Sequence, residues 1–420
     1  MVYSFNKKEG ILIYWNPLKI LGAIKKMKES LFNYRFEYEN QKYIFNTNNN
    51  GLIQINNDIF TEEEREYLRV NRFWVDDNED EIALLEREIN HNIQKRQKEL
   101  ELTIALTNYC NFSCVYCYQN KNEKLMTAEV ANMIIEKIDR ILNDNIFEGI
   151  NIHYFGGEPL LNIPVLIYLD ENIKKITDKI GIVYKAFLTT NGSMLSKELL
   201  QKVKFSSIQL TFDGLEKTHD RLRVSDHFHF KEEIELIENI MNFSQAKVLL
   251  RTNICKENKD EIIALHKYIF EKFGNERIEI NPNRTIKYHQ DDSFEMLSVQ
   301  EYAEVAYQIK LLWSEQKGKF ELPVPRSTPC KFPYGNAYAI SPEGYCTFCS
   351  GSMDQEEKYF FDVDIENKKM FSVRKECKKC NILPLCLGGC IIQYNLRAGA
   401  CTYEKYELKN ILISYIKHIS

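Results

Sequence analysis

The sequence has no long hydrophobic run and no large excess of either charge. No stretch reaches the about 18 consecutive apolar residues that a membrane-spanning helix needs. The first residues, MVYSFNKKEGILIYW, contain only a short apolar run, which is too brief for a secretory signal. With 60 acidic and 55 basic residues, the net charge of −5 is too mild to favour nucleic-acid binding. We therefore expect a cytoplasmic protein without membrane or nucleic-acid partners.

Glycine and proline are also sparse, with 17 and 10 residues in a chain of 420. This composition excludes collagen-like repeats, and a hydrophobic content of 44% excludes general disorder. A chain of this length is typical of about two to four domains with a buried core.

The 12 cysteines are the unusual part of the composition. In a reducing compartment they rarely form structural disulfides, so metal ligation, catalysis and core packing are the roles that remain. They fall into two clusters, at 110–117 and 330–401, whereas Cys255 stands alone and is expected to be a core residue.

From residue 102 the chain alternates β-branched runs with amphipathic stretches, which is typical of βα units around a parallel sheet. Six such units predict an α/β fold with a partial (β/α)6 TIM-like barrel. The predicted strands are 102–107, 150–156, 182–190, 207–214, 247–253 and 278–284. The clearest helical patterns between them are 127–142, 231–243 and 259–273.

The segments on either side of the barrel have a different character. Residues 34–55 indicate two strands around a polar turn, followed by a helix at 61–70 and another strand near 73, and a charged helix then leads into the barrel. From Cys330 the chain is rich in Cys, Gly and Pro, so we expect its fold to depend on metal. The last residues, 402–419, return to a helical period.

The first cysteine cluster, C-x3-C-x2-C, directly follows the first barrel strand. A short loop of this spacing can turn three thiolates onto one metal centre. Structural zinc and [4Fe-4S] clusters both normally take four protein ligands, so three cysteines on a four-iron cluster leave one iron open to another ligand. A zinc knuckle and plain buried thiols are the alternatives. The three residues are Cys110, Cys114 and Cys117.

This motif after a barrel strand resembles the radical S-adenosylmethionine (SAM) enzymes. The resemblance implies that SAM chelates the open iron of a [4Fe-4S] cluster and that a low-potential donor of the flavodoxin or ferredoxin type supplies electrons. In that family reductive cleavage of SAM gives a 5′-deoxyadenosyl radical, which abstracts hydrogen from the substrate.

The ends of the predicted strands agree with the resemblance, because barrel enzymes place their chemistry at the carboxyl ends of strands. By similarity, the GGEP segment after the second strand binds the SAM amino group, and later strand ends border the ribose and the carboxylate. Taken singly, each of these short motifs is an ordinary turn. The implied SAM contacts are Tyr116, Gly156, Gly157, Glu158, Thr190, Asn191, Thr211, Asp213, Arg251 and Asn253. The segment His219–Arg223 also matches the family, although a helix-start ion pair explains it equally well.

The second cysteine cluster is similar in spacing to the SPASM extension of radical SAM enzymes, which carries two auxiliary clusters. The resemblance assigns Cys377, Cys380, Cys386 and Cys401 to one auxiliary cluster. It assigns Cys330, Cys349 and Cys390 to the other, whose fourth ligand is either Cys346 or absent, leaving one iron open. Without the barrel, zinc ribbons would fit these CxxC pairs as well.

These segments predict three domains: an α+β, winged-helix-like domain over 1–98, the radical SAM barrel over 99–290, and an iron–sulfur SPASM domain over 291–420. The first either adds the leader of a ribosomal precursor peptide as an extra strand or caps the barrel. Our prediction is a peptide maturase that makes a thioether between a cysteine sulfur and a carbon of the precursor. A carbon–carbon crosslink, sulfatase-type maturation and a metal-binding protein without catalysis are the alternatives. Ser350 disfavours the sulfatase-type hypothesis, since sulfatase-maturing enzymes carry an Asp at this position, directly after the cysteine equivalent to Cys349.

Overall fold

The computed structural model describes residues 3–4, 26–55, 60–119, 122–274, 277–287, 294–347, 349–352, 358–360, 370–390 and 401–419. The chain divides into two compact units, each built from separate stretches of sequence. The first unit comprises Met1–Ile93, Trp313–Cys330 and Met370–Ser420, and the second comprises Gln94–Leu312 and Lys331–Lys369.

The strands, in chain order, are β1 (Tyr3–Ser4), β2 (Met27–Glu29), β3 (Asn33–Tyr38), β4 (Gln41–Asn46), β5 (Gly51–Ile55), β6 (Trp74–Asp76), β7 (Glu99–Ala105), β8 (Ser113–Cys114), β9 (Gly149–Phe155), β10 (Val183–Thr189), β11 (Phe205–Thr211), β12 (Arg223–Val224), β13 (Lys247–Ile254), β14 (Ile278–Arg284), β15 (Ala337–Ile340), β16 (Tyr345–Thr347) and β17 (Lys358–Tyr359).

The helices are α1 (Glu62–Val70), α2 (Glu81–Arg96), α3 (Ala128–Asp144), α4 (Ile163–Ile180), α5 (Lys197–Lys202), α6 (Glu216–Leu222), α7 (Phe230–Phe243), α8 (Ile262–Phe273), α9 (Val299–Lys317), α10 (Lys331–Tyr334), α11 (Leu383–Cys386) and α12 (Glu404–Ile419). Short 3-10 turns span Pro159–Asn162, Ser350–Ser352 and Lys375–Cys377. No helix in the described parts of the chain is long and apolar enough to cross a membrane.

A large sheet organises the second unit. Over the described residues its strand order is β14-β13-β11-β10-β9-β7-β15-β16-β17. The run from β14 to β15 is parallel, and β16 and β17 add antiparallel strands at one edge. The six predicted barrel strands are all present, so the partial barrel fold is confirmed.

The two faces of this sheet differ in polarity. One face carries aliphatic side chains that are completely or almost completely buried, among them Ile104, Ile152, Leu188, Leu210 and Leu250. Helices begin where the sequence supplies a cap: the Thr127 hydroxyl accepts a hydrogen bond from the Val130 amide before α3. The opposite face is the interior of the partial barrel, where polar side chains predominate.

The first unit contains a smaller antiparallel sheet with the order β1-β5-β4-β3. The prediction of two strands at 34–55 was wrong, because β3, β4 and β5 are three strands. The missed turn is a two-residue hairpin at Glu39 and Asn40, whose φ angles are 49° and 58°. Glu-Asn lacks the Gly that usually marks such a turn in sequence, and a polar pair therefore looked like part of a strand.

The core of the first unit joins this sheet to residues near the carboxyl end of the chain. Phe36, Phe45 and Leu52 of the sheet share one hydrophobic cluster with segments in and next to α11 and α12. The buried residues on that side are Ile382, Leu385, Leu408, Leu412 and Ile416. Residues separated by more than 300 positions therefore form one core.

Candidate functional site

The loop that carries the first cysteine cluster is held against the barrel by a short strand pair. β8 pairs with β12 so that Cys114 lies opposite Arg223, and the Val115 amide donates to the Leu222 carbonyl at 3.0 Å. The loop turns at the Cys117 amide, which donates to the Cys114 carbonyl at 3.1 Å. Burial raises the pKa of Cys114 to about 11, and both Cys110 and Cys117 are near enough to add to the shift. The structure thus brings the three thiols together.

Asn191, at the end of the third barrel strand, contacts this loop. Its Nδ2 lies 3.8 Å from Cys110 Sγ and 2.8 Å from Asn111 Oδ1. The Asn191 Oδ1 accepts hydrogen bonds from the Ser193 amide and hydroxyl at 3.0 and 2.7 Å. The side chain predicted as a SAM contact is therefore also a partner of a cysteine thiol.

Glu158 joins the ends of two barrel strands. Its carboxylate has no solvent exposure and accepts hydrogen bonds from the Thr190 hydroxyl at 2.6 Å, the Asn191 amide at 2.6 Å and the Leu160 amide at 3.0 Å. Burial raises its pKa to about 7, although these bonds oppose the shift. Because protein donors already occupy both oxygens, Glu158 and Thr190 form a brace that fixes the strand ends.

Gly156 and Gly157 lie where β9 meets the base of the cysteine loop. The Gly157 amide donates to the Thr107 carbonyl at 2.8 Å. A Cβ at Gly156 would lie 2.4 Å from the Thr107 oxygen, and one at Gly157 would lie 2.2 Å from the Tyr109 oxygen. Only glycine therefore allows the two backbones to approach so closely, and this explains the GG pair in structural terms.

Tyr116, Asp213 and Arg223 form a buried polar group beneath the loop. The Tyr116 hydroxyl donates to the Asp213 carboxylate, which also accepts a hydrogen bond from the Asn253 amide at 2.7 Å. Arg223 Nη1 lies 3.5 Å from the Tyr116 oxygen. Burial raises the pKa of Asp213, and the Arg223 charge opposes that shift. The group ties the cysteine loop to the ends of β11 and β13.

The remaining predicted SAM contacts lie on these same strand ends. Thr211 and Arg251 are register partners on β11 and β13. Arg251 Nε donates to Asn253 Oδ1 at 2.8 Å, and Thr211 and Asn253 are nearly buried. The structure brings all ten residues to the carboxyl ends of the strands, and their contacts with SAM stay predictions.

The barrel interior below this edge is polar. His153 Nε2 lies 2.7 Å from Thr189 Oγ1, and Asn281 Nδ2 donates to Gln209 Oε1 at 3.3 Å. Burial lowers the pKa of His153 to about 4, so this imidazole is neutral near pH 7. Barrel interiors that act only as a core are filled by branched aliphatic residues. This interior instead carries side chains that form hydrogen bonds.

Sequence reasoning missed these interior residues, although a signal was present. In strand β9, polar and apolar residues alternate as Asn151, Ile152, His153 and Tyr154. A strand buried on both faces would be nearly continuously apolar. The alternation therefore indicated a polar inner face.

Four cysteines of the second cluster belong to the first unit. Burial raises the pKa of Cys377 and Cys386; the thiols of Cys380 and Cys401 add to the shift of Cys377, and Cys380 adds to that of Cys386. The Cys380 amide donates to the Cys377 carbonyl at 3.0 Å. These four are the residues that the sequence assigned to one auxiliary cluster.

The proposed ligands of the other auxiliary cluster belong to different units. Cys330 and Cys390 lie in the first unit, and Cys346 and Cys349 lie in the second. Cys346 is a buried residue of β16, opposite Ile340, whereas Cys349 is partly exposed. Their joint ligation stays a prediction. Cys255 is fully buried in an apolar cluster, as expected of a core residue.

The arrangement of the first loop fits a [4Fe-4S] cluster. Across the described residues, no three His, Cys, Asp or Glu side chains converge closely enough to hold a single metal ion. A cubic cluster places its ligands around several irons, so it requires thiols that are neighbours without converging on one point. The neighbouring thiols of the loop, with an amide donor at one sulfur, have the chemistry of such a donor set.

Residues 104–269 match the model of the radical SAM superfamily. With the barrel and the cysteine loop at its strand ends, this match identifies the segment as a radical SAM domain, a class of domain that uses a [4Fe-4S] cluster and SAM. The resemblance drawn from the sequence is confirmed in this respect.

Among curated proteins, the radical SAM cyclopropyl synthase TigE of Paramaledivibacter caminithermalis is 24% identical over an alignment of 372 residues, and the match covers 78% of this chain and 76% of TigE. Several other curated relatives match a shorter part, and the chain spans only 25% to 53% of their length.

Solved structures share the fold. The protein anSMEcpe with bound AdoMet and Cp18Cys peptide matches with a TM-score of 0.58 at 19% identity, covering 76% of this chain and 97% of that one. Streptococcus suis SuiB bound to precursor peptide SuiA matches with a TM-score of 0.52 at 16% identity, covering 90% of this chain and 98% of that one.

Proposed function

We propose that this protein is a radical SAM/SPASM peptide maturase that installs a thioether crosslink in a ribosomally made precursor peptide. The observation that carries the proposal is the three-cysteine loop at the mouth of a barrel with a polar interior. A peptide substrate is supported by two proteins of the same fold whose structures contain bound peptides.

The chain's own residues have three roles in this proposal. Cys110, Cys114 and Cys117 hold the cluster, and the strand ends around Gly157 and Arg251 bind SAM. When bound, SAM and the cluster supply the radical that removes one hydrogen atom from a substrate carbon. The polar interior around His153 and Gln209 would orient the peptide by hydrogen bonds, because a peptide presents an amide donor and acceptor at every residue.

Bond formation in this proposal also requires an electron acceptor. When a substrate cysteine sulfur joins the carbon radical, the thiol loses its proton and the product must release one electron. We assign that electron to an auxiliary cluster, of which the group Cys377, Cys380, Cys386 and Cys401 is one candidate site. Reduction of the SAM cluster itself would come from a flavodoxin or ferredoxin.

A carbon–carbon bond is the second candidate function. It is favoured by the similarity to TigE, whose name describes a cyclopropyl synthase. A thioether requires a cysteine in the precursor, whereas a carbon–carbon crosslink does not. The presence or absence of a cysteine in the precursor peptide therefore distinguishes the two candidate functions.

The small sheet of the first unit is proposed to bind the leader of the precursor peptide. An exposed sheet edge can accept an extra strand through main-chain hydrogen bonds. The alternative is that this sheet has a purely structural role and binds no peptide.

The test is anaerobic reconstitution of the full chain, followed by incubation with SAM, a low-potential reductant and a cysteine-containing peptide encoded beside the gene. We expect about 12 irons per chain from three clusters, 5′-deoxyadenosine, and a peptide that has lost two hydrogens and one free thiol. The matched control replaces Cys110, Cys114 and Cys117 by Ala and should make no 5′-deoxyadenosine. Zinc in place of iron, or an unchanged peptide beside 5′-deoxyadenosine, would contradict the assignment.

A further inference from the structure

Two thiols of the cysteine loop have specific polar neighbours in the protein. The first is Asn191 Nδ2, at 3.8 Å from Cys110 Sγ. The direction of this N–H is fixed, because the amide oxygen accepts two hydrogen bonds from Ser193 while the amide nitrogen also donates to Asn111. The side chain cannot rotate away without losing these three bonds.

The main chain at Asn191 is also fixed. Its amide donates to Glu158 Oε2 at 2.6 Å, and Glu158 has no solvent exposure. The donor is therefore attached to the rigid end of a barrel strand.

The second neighbour is Arg223, on the strand paired with Cys114. Its side chain is only 6% exposed, and its Cζ lies 5.4 Å from the centroid of the Phe112 ring. The guanidinium faces Cys114, Tyr116, Asp213 and Glu233, and its Nε has no hydrogen-bond partner among the described residues. A guanidinium stays protonated even when it is buried, so a permanent positive charge lies beside this part of the loop.

Both neighbours act in the same direction on an iron–sulfur cluster. Reduction adds negative charge to the cluster, and a hydrogen bond to a sulfur or a nearby cation stabilises that charge. Removal of either group should make the cluster harder to reduce.

We propose that Asn191 and Arg223 are positioning residues that raise the reduction potential of the cluster held by Cys110, Cys114 and Cys117. Asn191 does so through its hydrogen bond to Cys110, and Arg223 through its buried charge beside Cys114. The inference rests on the proposed function only for the presence of that cluster, and it does not depend on the substrate.

The test is an EPR-monitored redox titration of the reconstituted full chain without SAM. The signal of this cluster is the one that disappears in the variant with Ala at Cys110, Cys114 and Cys117. We expect Asn191→Ala to shift the midpoint to more negative potential. Asn191→Asp should shift it further, because it replaces the donor with a negative charge in the same shape. A purely structural role would not predict this order.

Arg223 is tested by a matched pair of variants. Arg223→Met should shift the midpoint to more negative potential, and Arg223→Lys should restore most of it, because the charge is retained. Arg221→Met is the control, since Arg221 is an exposed arginine two residues away. If Arg223→Met fails to fold or to bind iron, the Arg223→Lys and Asn191 variants still decide the question.

Unchanged midpoints in both Asn191 variants, with wild-type iron content, would overturn the assignment. A midpoint shift in a protein that leaves every peptide unmodified would instead reject the proposed function and support this inference.

Discussion

Thr47 offers a direct test of how the amino-terminal sheet supports the segment that carries Cys380. This residue follows β4 and has no solvent exposure. Its hydroxyl donates to the main-chain carbonyl of Asn381 at 2.5 Å, and Asn381 Nδ2 donates back to the Asn33 carbonyl at 3.2 Å. Asn381 directly follows Cys380, so these bonds attach the cysteine segment to the sheet.

Thr47→Val retains the side-chain shape and removes the donor. Asn381 is partly buried, and loss of the hydrogen bond to its carbonyl, together with burial of the unpaired oxygen against the Val methyl group, costs about 1–3 kcal/mol. Thr47→Ser is the matched control, because it keeps the hydroxyl and loses one methyl group, at a cost of about 1 kcal/mol. We therefore expect Val to destabilise the first unit more than Ser does, although Val is the more apolar residue.

The assay has two readouts: urea unfolding followed by far-UV circular dichroism, and the rate at which a chelator removes iron. Thr47→Val should lower the unfolding midpoint and lose part of its iron faster than Thr47→Ser does. If both variants behave alike in both measurements, the bond to Asn381 does not support the cysteine segment and the reasoning is refuted.

Two further predictions concern the strand ends of the barrel. In Gly157→Ala the new Cβ would lie 2.2 Å from the Tyr109 oxygen, so we expect a loss of about 1–3 kcal/mol and weaker iron binding, measured by unfolding and iron content. Gly181→Ala meets no atom within 4 Å but lies at a φ of 83°, so it measures backbone strain alone, at about 1–2 kcal/mol. Normal iron binding in Gly157→Ala, with a stability loss no larger than that of Gly181→Ala, would contradict the steric argument. Because burial raises the pKa of Glu158 from 4.5 to about 7, its contribution to apo-protein stability is fully present below pH 4.5 and is lost as the pH rises through 7. This loss amounts to about 3 kcal/mol. The difference in unfolding free energy between wild type and Glu158→Gln should therefore change by that amount as the pH rises from 4.5 through 7. A difference that does not depend on pH would refute the assigned pKa.

Much of the barrel could be predicted from local pattern. The predicted strand 278–284 coincides with β14, and 247–253 is one residue shorter than β13. Both runs are bounded by residues that end a strand. The helix predicted at 61–70 begins at Glu62, because Thr61 and Glu64 form a capping box that depends only on their spacing.

Other features could not be predicted locally. The Glu39-Asn40 hairpin has a turn conformation that its residues do not usually signal. Asn191 was expected to border SAM, and only the approach of a distant loop revealed its contact with Cys110. The same holds for Arg223, because the segment His219–Arg223 was equally compatible with a helix-start ion pair.

The sequence by itself determined the three-cysteine loop, because three closely spaced cysteines must occupy one loop whatever the remainder of the chain does. It also determined the barrel, since hydrophobic periodicity acts within each element. Only the tertiary structure decided which groups surround the thiols and which segment supports Asn381. Those partners are brought together by the packing of elements far apart in the chain. The spacing of residues in the sequence does not predict such long-range contacts.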